Sequence, residues 1–145
     1  METFVFPNTI KFGAGSLSAL PEALAEMSSE RPLLVTDPGL IENGLLSEIQ
    51  AASGMIGSTV FSEVDANPSE ANVRGGIEAF RSGRCDSIVG IGGGSALDAA
   101  KGIRLLAHHK GPLRDYGIGK QGWTRMMQPM PKMIAIPTTA GTGSE

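Results

Sequence analysis

The chain has 145 residues, 41% of them apolar and 19% charged, with 12 basic and 15 acidic side chains and a formal net charge of −3. That length and balance suit one globular domain with its own core. Slight acidity without a run of either sign argues against nucleic acid or an anionic membrane as the main partner, and no apolar run approaches the ~20 residues of a membrane span.

The runs 3–6 and 9–12 are β-prone and flank Pro7-Asn8, which predicts a small N-terminal β-hairpin or edge strand. The start lacks the basic residues of a signal peptide. Ser16 is placed to cap a helix whose apolar face is Leu17, Leu20, Leu24 and Met27. Leu33-Leu34-Val35-Thr36 is continuously apolar up to its last residue, as for a strand covered on both faces. Asp37-Pro38-Gly39 reads as a turn, and Leu45, Ile49 and Ala52 as the buried face of a second helix.

The run 59–61 predicts another strand. Ser69 is placed to cap a third helix, with Val73, Ile77 and Phe80 inward. The run 87–91 is the next strand, followed by a helix from Ser95 to about Ala107. Residues 110–131 hold many glycines and prolines, a long connection of the kind that is functional or mobile. A last strand, 133–136, leads into 137–145, rich in threonine and glycine. Strands alternating with helices predict an α/β domain with a mostly parallel sheet. Ligands bind such sheets beyond the carboxyl ends of the strands. Asp37, Asn67, the glycine loop and the Thr-Thr segment each follow a predicted strand, so all four are expected to line one crevice.

The single cysteine, Cys85, has no internal disulfide partner and reads as a packing residue in a reducing compartment, which makes the cytoplasm the expected location. Gly92, Gly93 and Gly94 clear one loop of side chains and lead into a helix N-terminus, a combination that suits a phosphate or pyrophosphate. The spacing departs from the usual dinucleotide fingerprint, because Ser95 stands where the third glycine would be, and it is neither a Walker loop nor a nucleophile elbow. Ser95 is expected to cap its helix or to donate to a phosphate oxygen.

Asp37 either closes its turn or accepts hydrogen bonds from a ribose, in which case its charge disfavours a 2′-phosphate and selects NAD over NADP. Asp98 and Lys101 either form an exposed ion pair or face a cofactor. Thr138, Thr139 and Thr142 offer hydroxyls to a ribose or a nicotinamide amide, or else belong to a flexible surface loop. His108 and His109 point about 100° apart on a helix, too divergent to share a metal, and read as structural. Nothing in the chain is assigned as a metal ligand or a catalytic group.

Taken together, Gly92 to Lys101 and Ile136 to Glu145 resemble the two signature segments of the iron-containing (group III) alcohol dehydrogenases. Phe12-Gly13-Ala14-Gly15, Val35-Thr36-Asp37 and Asn67-Pro68 match in order. The resemblance implies an NAD(P)-binding, Rossmann-like α/β domain over 1–145, followed in the family by an all-helical domain that this chain lacks. It implies that Asp37 meets the adenosine ribose. Asn67 and the stretch holding Gly93, Gly94, Ser95 and Asp98 would hold the dinucleotide, with Thr138, Thr139 and Thr142 on its adenine and nicotinamide sides.

It further implies hydride exchange between NAD and a small alcohol or its aldehyde or ketone. A metal, Fe2+ or Zn2+, would be held by one Asp and three His outside this chain. The chain is thus expected to be part of a longer two-domain enzyme, inactive by itself, with a homo-oligomer open. The alternatives are a dehydroquinate synthase-like or glycerol-1-phosphate dehydrogenase-like domain, or a stand-alone nucleotide-binding module.

Overall fold

Strand β1, Pro32–Val35, has every residue buried, and its side chains alternate between two separate cores. Leu33 and Val35 meet one layer of helices, and Leu34 meets the other. This is the period-two consequence of a strand covered on both sides. The computed structural model describes residues 8–144. Its sheet has four strands, all parallel, in the order β2 (Thr59–Phe61), β1, β3 (Ser87–Gly92), β4 (Lys132–Pro137).

One layer contains α1 (Leu20–Glu26) and α3 (Leu45–Ser53), which bury Leu20, Leu24, Leu46 and Ile49 against Leu34, Val89 and Ile91. The other contains α4 (Glu70–Ser82) and α5 (Gly94–His108), which bury Val73, Ile77, Phe80 and Ile103 against Leu33, Val35 and Ile88. A short helix, α2 (Pro38–Glu42), follows β1. The chain leaves β1 toward β2 on one side, then passes back to β3 on the other. That reversal opens a crevice between the carboxyl ends of β1 and β3.

Several local expectations shift. The α/β parallel sheet is as expected, but 9–12 has no regular secondary structure, and its expected hairpin partner 3–6 lies outside the described residues. Ser16 opens a 3-10 turn, Ser16–Ala19, behind Gly15 and makes no side-chain cap. Asp37-Pro38-Gly39 starts α2 rather than a simple turn, since proline at the first helical position and a carboxylate at the N-cap both favour a helix. In α3 the buried face is Leu46, Ile49 and Ser53, one position from that expected, with Ala52 exposed. The Ser53 hydroxyl is satisfied by the Ile49 carbonyl at 2.6 Å. The cap at Ser69 forms as a full capping box with Asn72.

The segment after α5 is a tied strap. It forms three 3-10 turns, Leu113–Tyr116, Ile118–Lys120 and Gly122–Arg125. Asp115 pairs with Lys120 at 3.4 Å and Arg125 at 3.7 Å, Tyr116 donates to the Lys110 carbonyl, and Arg104 donates to the Pro131 carbonyl. Both histidines serve it. His108 Nδ1 donates to Pro129 O at 2.6 Å. His109 is buried, donates from Nδ1 to Leu105 O at 2.9 Å and accepts the Gln128 N–H on Nε2 at 3.2 Å, which fixes its tautomer. Cys85 is half-buried and packs against the core that holds Phe80 and Ile88, and burial pushes its thiol up.

Candidate functional site

The crevice is built by four loops, each leaving the carboxyl end of a strand. The first follows β1. Thr36 extends the ladder by donating its N–H to Phe61 O at 3.0 Å, and its side chain is fully buried. Its hydroxyl is the buried side-chain polar atom among the described residues that finds no hydrogen-bond partner. Asp37 then caps α2, with Oδ1 accepting from Leu40 N at 3.2 Å. The turn role foreseen for Asp37 is therefore filled by one carboxylate oxygen.

Its other oxygen borders the second loop. Gly92 has φ +144°, a region that side chains rarely enter, and a Cβ there would stand 3.0 Å from Asp37 Oδ2 and 2.7 Å from Ala96 Cβ. The carboxylate of β1 and the glycine loop of β3 are thus in contact across the switch point. Gly93 is the N-cap of α5 and offers no side chain, so the helix begins at Gly94, one residue before the expected start. The N–H groups of Gly94, Ser95 and Ala96 have no partner within the helix, and the helix dipole adds positive potential beside them.

Ser95 is not the cap. Its hydroxyl donates instead to the carbonyl of Ala66 in the third loop, between β2 and α4. That bond, next in sequence to the exposed Asn67, ties the third loop to the first turn of α5. The fourth loop follows β4. Thr138 N–H donates to Gly92 O at 2.9 Å. A Cβ at Gly93 would lie 3.6 Å from Thr139 Oγ1, and one at Gly94 would lie 3.1 Å from Thr142 Cβ. Thr138, Thr139 and Thr142 are exposed. The four loops therefore meet around the first turn of α5.

Asp98 is exposed one turn further along, and no ion pair joins it to Lys101. Lys101 donates instead to the Ser144 carbonyl at 2.5 Å. That bond and the orphan hydroxyl of Thr36 are the features sequence reasoning missed. A contact spanning 43 residues leaves no local pattern, and Thr36 reads as part of an apolar strand.

Chemically, the site offers backbone N–H donors for an anion, two carboxylates for hydroxyl or amide donors, and small hydroxyl side chains. Among the described residues no group of three or more His, Cys, Asp or Glu is placed to hold a metal ion. Two hollows of about 270 Å³ lie elsewhere and include none of these site residues.

Known proteins resemble this chain in sequence and fold. The family model for iron-containing alcohol dehydrogenase matches residues 7–145. The chain is 40% identical over 131 residues to 4-hydroxybutyrate dehydrogenase of Cupriavidus necator, covering 90% of this chain and 34% of that protein. It is 39% identical to 1,3-propanediol dehydrogenase of Citrobacter freundii, covering 100% of this chain and 38% of the relative. The crystal structure of a 1,3-propanediol oxidoreductase superposes with a TM-score of 0.86 at 35% identity, over 100% of this chain and 37% of the other. That of sulfoacetaldehyde reductase from Bifidobacterium kashiwanohense in complex with NAD+ gives 0.83 at 31% identity, over 100% and 38%. The chain thus spans little more than a third of the length of the relatives it matches. With the family model matching residues 7–145 and the fold superposing over the whole chain, the chain belongs to the iron-containing alcohol dehydrogenase family.

Proposed function

We propose that this chain is the dinucleotide-binding domain of a metal-dependent alcohol dehydrogenase. Its cofactor is NAD in preference to NADP, and its substrate is a small alcohol or the corresponding aldehyde or ketone. The observation that carries the reading is the meeting of four strand-end loops, two of them glycine-rich, at the N-terminus of a 15-residue helix. The side-chain-free approach at Gly92 and Gly93 and the unsatisfied N–H groups of Gly94 and Ser95 fit a pyrophosphate.

When bound, NAD supplies the nicotinamide C4 that exchanges hydride with the substrate carbon. The chain's part is to bind and orient. The Asp37 carboxylate accepts from the ribose hydroxyls while remaining the cap of α2, and its charge repels a 2′-phosphate. Gly93, Gly94 and Ser95 hold the pyrophosphate through their backbone, and Asn67 closes over it from the β2 side. Asp98 accepts from the amide or hydroxyls of the nicotinamide half. Thr138, Thr139 and Thr142 line the opposite wall. A metal, Fe2+ or Zn2+, would polarise the substrate oxygen, and among the described residues no group of three or more His, Cys, Asp or Glu is placed to hold it. The 145 residues alone are expected to oxidise no alcohol, and metal-dependent turnover by the purified chain would overturn that point.

The cofactor reading is tested by calorimetric titration of NAD+ and NADP+ into the protein and its Asp37→Asn variant. Asparagine caps a helix as well as aspartate does, so it removes the charge and keeps the cap. For charges about 5 Å apart, an effective dielectric between bulk water and a protein surface gives about 1–3 kcal/mol per charge pair, roughly 5- to 150-fold in affinity. Wild type should prefer NAD+ by a factor in that range, and Asp37→Asn should lose most of the preference. Equal binding of both cofactors by wild type would sink the reading of Asp37, and absence of NAD+ binding would sink the whole proposal.

A further inference from the structure

Gly94, Asp98 and Lys101 follow one another at spacings of four and three, so they share one face of α5. Residues 142–144 lie along that face. A Cβ at Gly94 would stand 3.1 Å from both Thr142 Cβ and Ser144 Oγ, so the loop packs closely against the helix at this glycine. Seven residues further along, Lys101 Nζ donates to the Ser144 carbonyl at 2.5 Å. Ser144 is only 6% exposed, while the loop residues before it are exposed, and its N–H donates to Thr142 Oγ1 at 3.1 Å. At the opposite end, Thr138 N–H is fastened to Gly92 O at 2.9 Å. Between the two ties, Gly141 and Gly143 take φ +75° and +78°.

The choice of partner for Lys101 is informative. A carboxylate, Asp98, lies three residues back on the same face, yet the ammonium goes to a backbone carbonyl 43 residues away in sequence. A bond from a charged donor is roughly twice as strong as a neutral one. It is spent on holding the loop, and it leaves Asp98 uncommitted at the crevice.

We propose that Lys101 is a positioning residue. Its ammonium latches the Ser144 carbonyl and so holds segment 138–144 along the Gly94–Asp98 face of α5, with the threonine wall set for the dinucleotide before it arrives. The cofactor half of this statement rests on the dinucleotide reading above. The latch acts through pre-organisation, since a loop already ordered loses less entropy when a ligand binds.

The test uses Lys101→Met, which keeps the apolar stem, and Lys101→Arg, which keeps the charge, both in the intact protein. Hydrogen exchange reads the amides of 138–144 and, as reference, those of β1 and β3. Calorimetry reads the affinity for NAD+. Lys101→Met should speed exchange in 138–144 by about tenfold or more while β1 and β3 stay as in wild type, and should weaken NAD+ by about tenfold. Lys101→Arg should restore most of both.

Unchanged exchange in 138–144 overturns the latch, as does acceleration spread equally over β1 and β3. Faster loop exchange with undiminished NAD+ affinity overturns the positioning role. A wild-type protein that binds no NAD+ defeats the dinucleotide reading instead, and the exchange measurement then decides the latch by itself.

Discussion

Replacing Gly92 by alanine tests the contact on which the crevice depends. Two penalties add at this position. The backbone sits at φ +144°, where an L side chain costs about 1–3 kcal/mol. The new methyl would also meet Ala96 Cβ at 2.7 Å and Asp37 Oδ2 at 3.0 Å. A helical Cβ has no rotamer by which to withdraw, so relief requires α5 to move from β3, an overpacking cost of about 1–3 kcal/mol. The sum, about 2–6 kcal/mol, is a large share of the roughly 5–15 kcal/mol that holds a domain together.

Urea unfolding followed by far-UV circular dichroism measures it. With a slope near 2 kcal/mol/M, the midpoint should fall by about 1–3 M. Gly141→Ala is the internal comparison, because Gly141 has φ +75° but open space around its missing Cβ. That variant carries strain alone, about 1 kcal/mol. If Gly92→Ala costs no more than Gly141→Ala, the close approach of β1, β3 and α5 argued above is wrong.

Two further outcomes are expected. Thr36→Val removes a buried hydroxyl that has no partner among the described residues, at nearly constant shape, so the protein should be equally stable or more stable by about 1 kcal/mol; a loss above that in a denaturant titration would mean the hydroxyl is satisfied. Asp86 lies at the opposite, amino end of the sheet. Burial there works against its charge, but bonds from the Ser87 hydroxyl and from the Glu30 and Arg31 N–H groups, with the Arg31 charge, outweigh it and hold the carboxyl below its ordinary value. Its stabilising contribution is therefore complete above the ordinary carboxylate range and is lost as pH falls through the lowered folded value. Asp86→Asn should cost about 0.5–1.5 kcal/mol at pH 7, a figure discounted for solvent exposure, and the gap from wild type should close toward pH 3 in thermal melts; a gap that widens on acidification contradicts the sign.

Much of the fold and part of the site were legible in the chain itself. Leu33-Leu34-Val35 and Ile88-Val89-Gly90-Ile91 carry no charged side chain on either face, the pattern of a strand buried between two helical layers. Ser69 was readable as the cap of α4, with Asn72 completing the capping box in the structure, and the glycine triplet was readable as leading into a helix N-terminus. Backbone and capping preferences act over a few residues, so sequence carries them.

Other choices are made between residues far apart. The sequence left Asp37 between a turn and a ligand contact; a local helix cap takes one oxygen at Leu40, and tertiary structure sets the other beside Gly92. Ser95 was expected to cap its helix or bind phosphate, and a carbonyl 29 residues earlier took its hydroxyl. Lys101 had Asp98 within reach and bonds to Ser144. In each case several partners are chemically equivalent. Which one is met depends on where parallel strands β1, β3 and β4 set down their loops, and register between strands is decided by packing across the whole sheet.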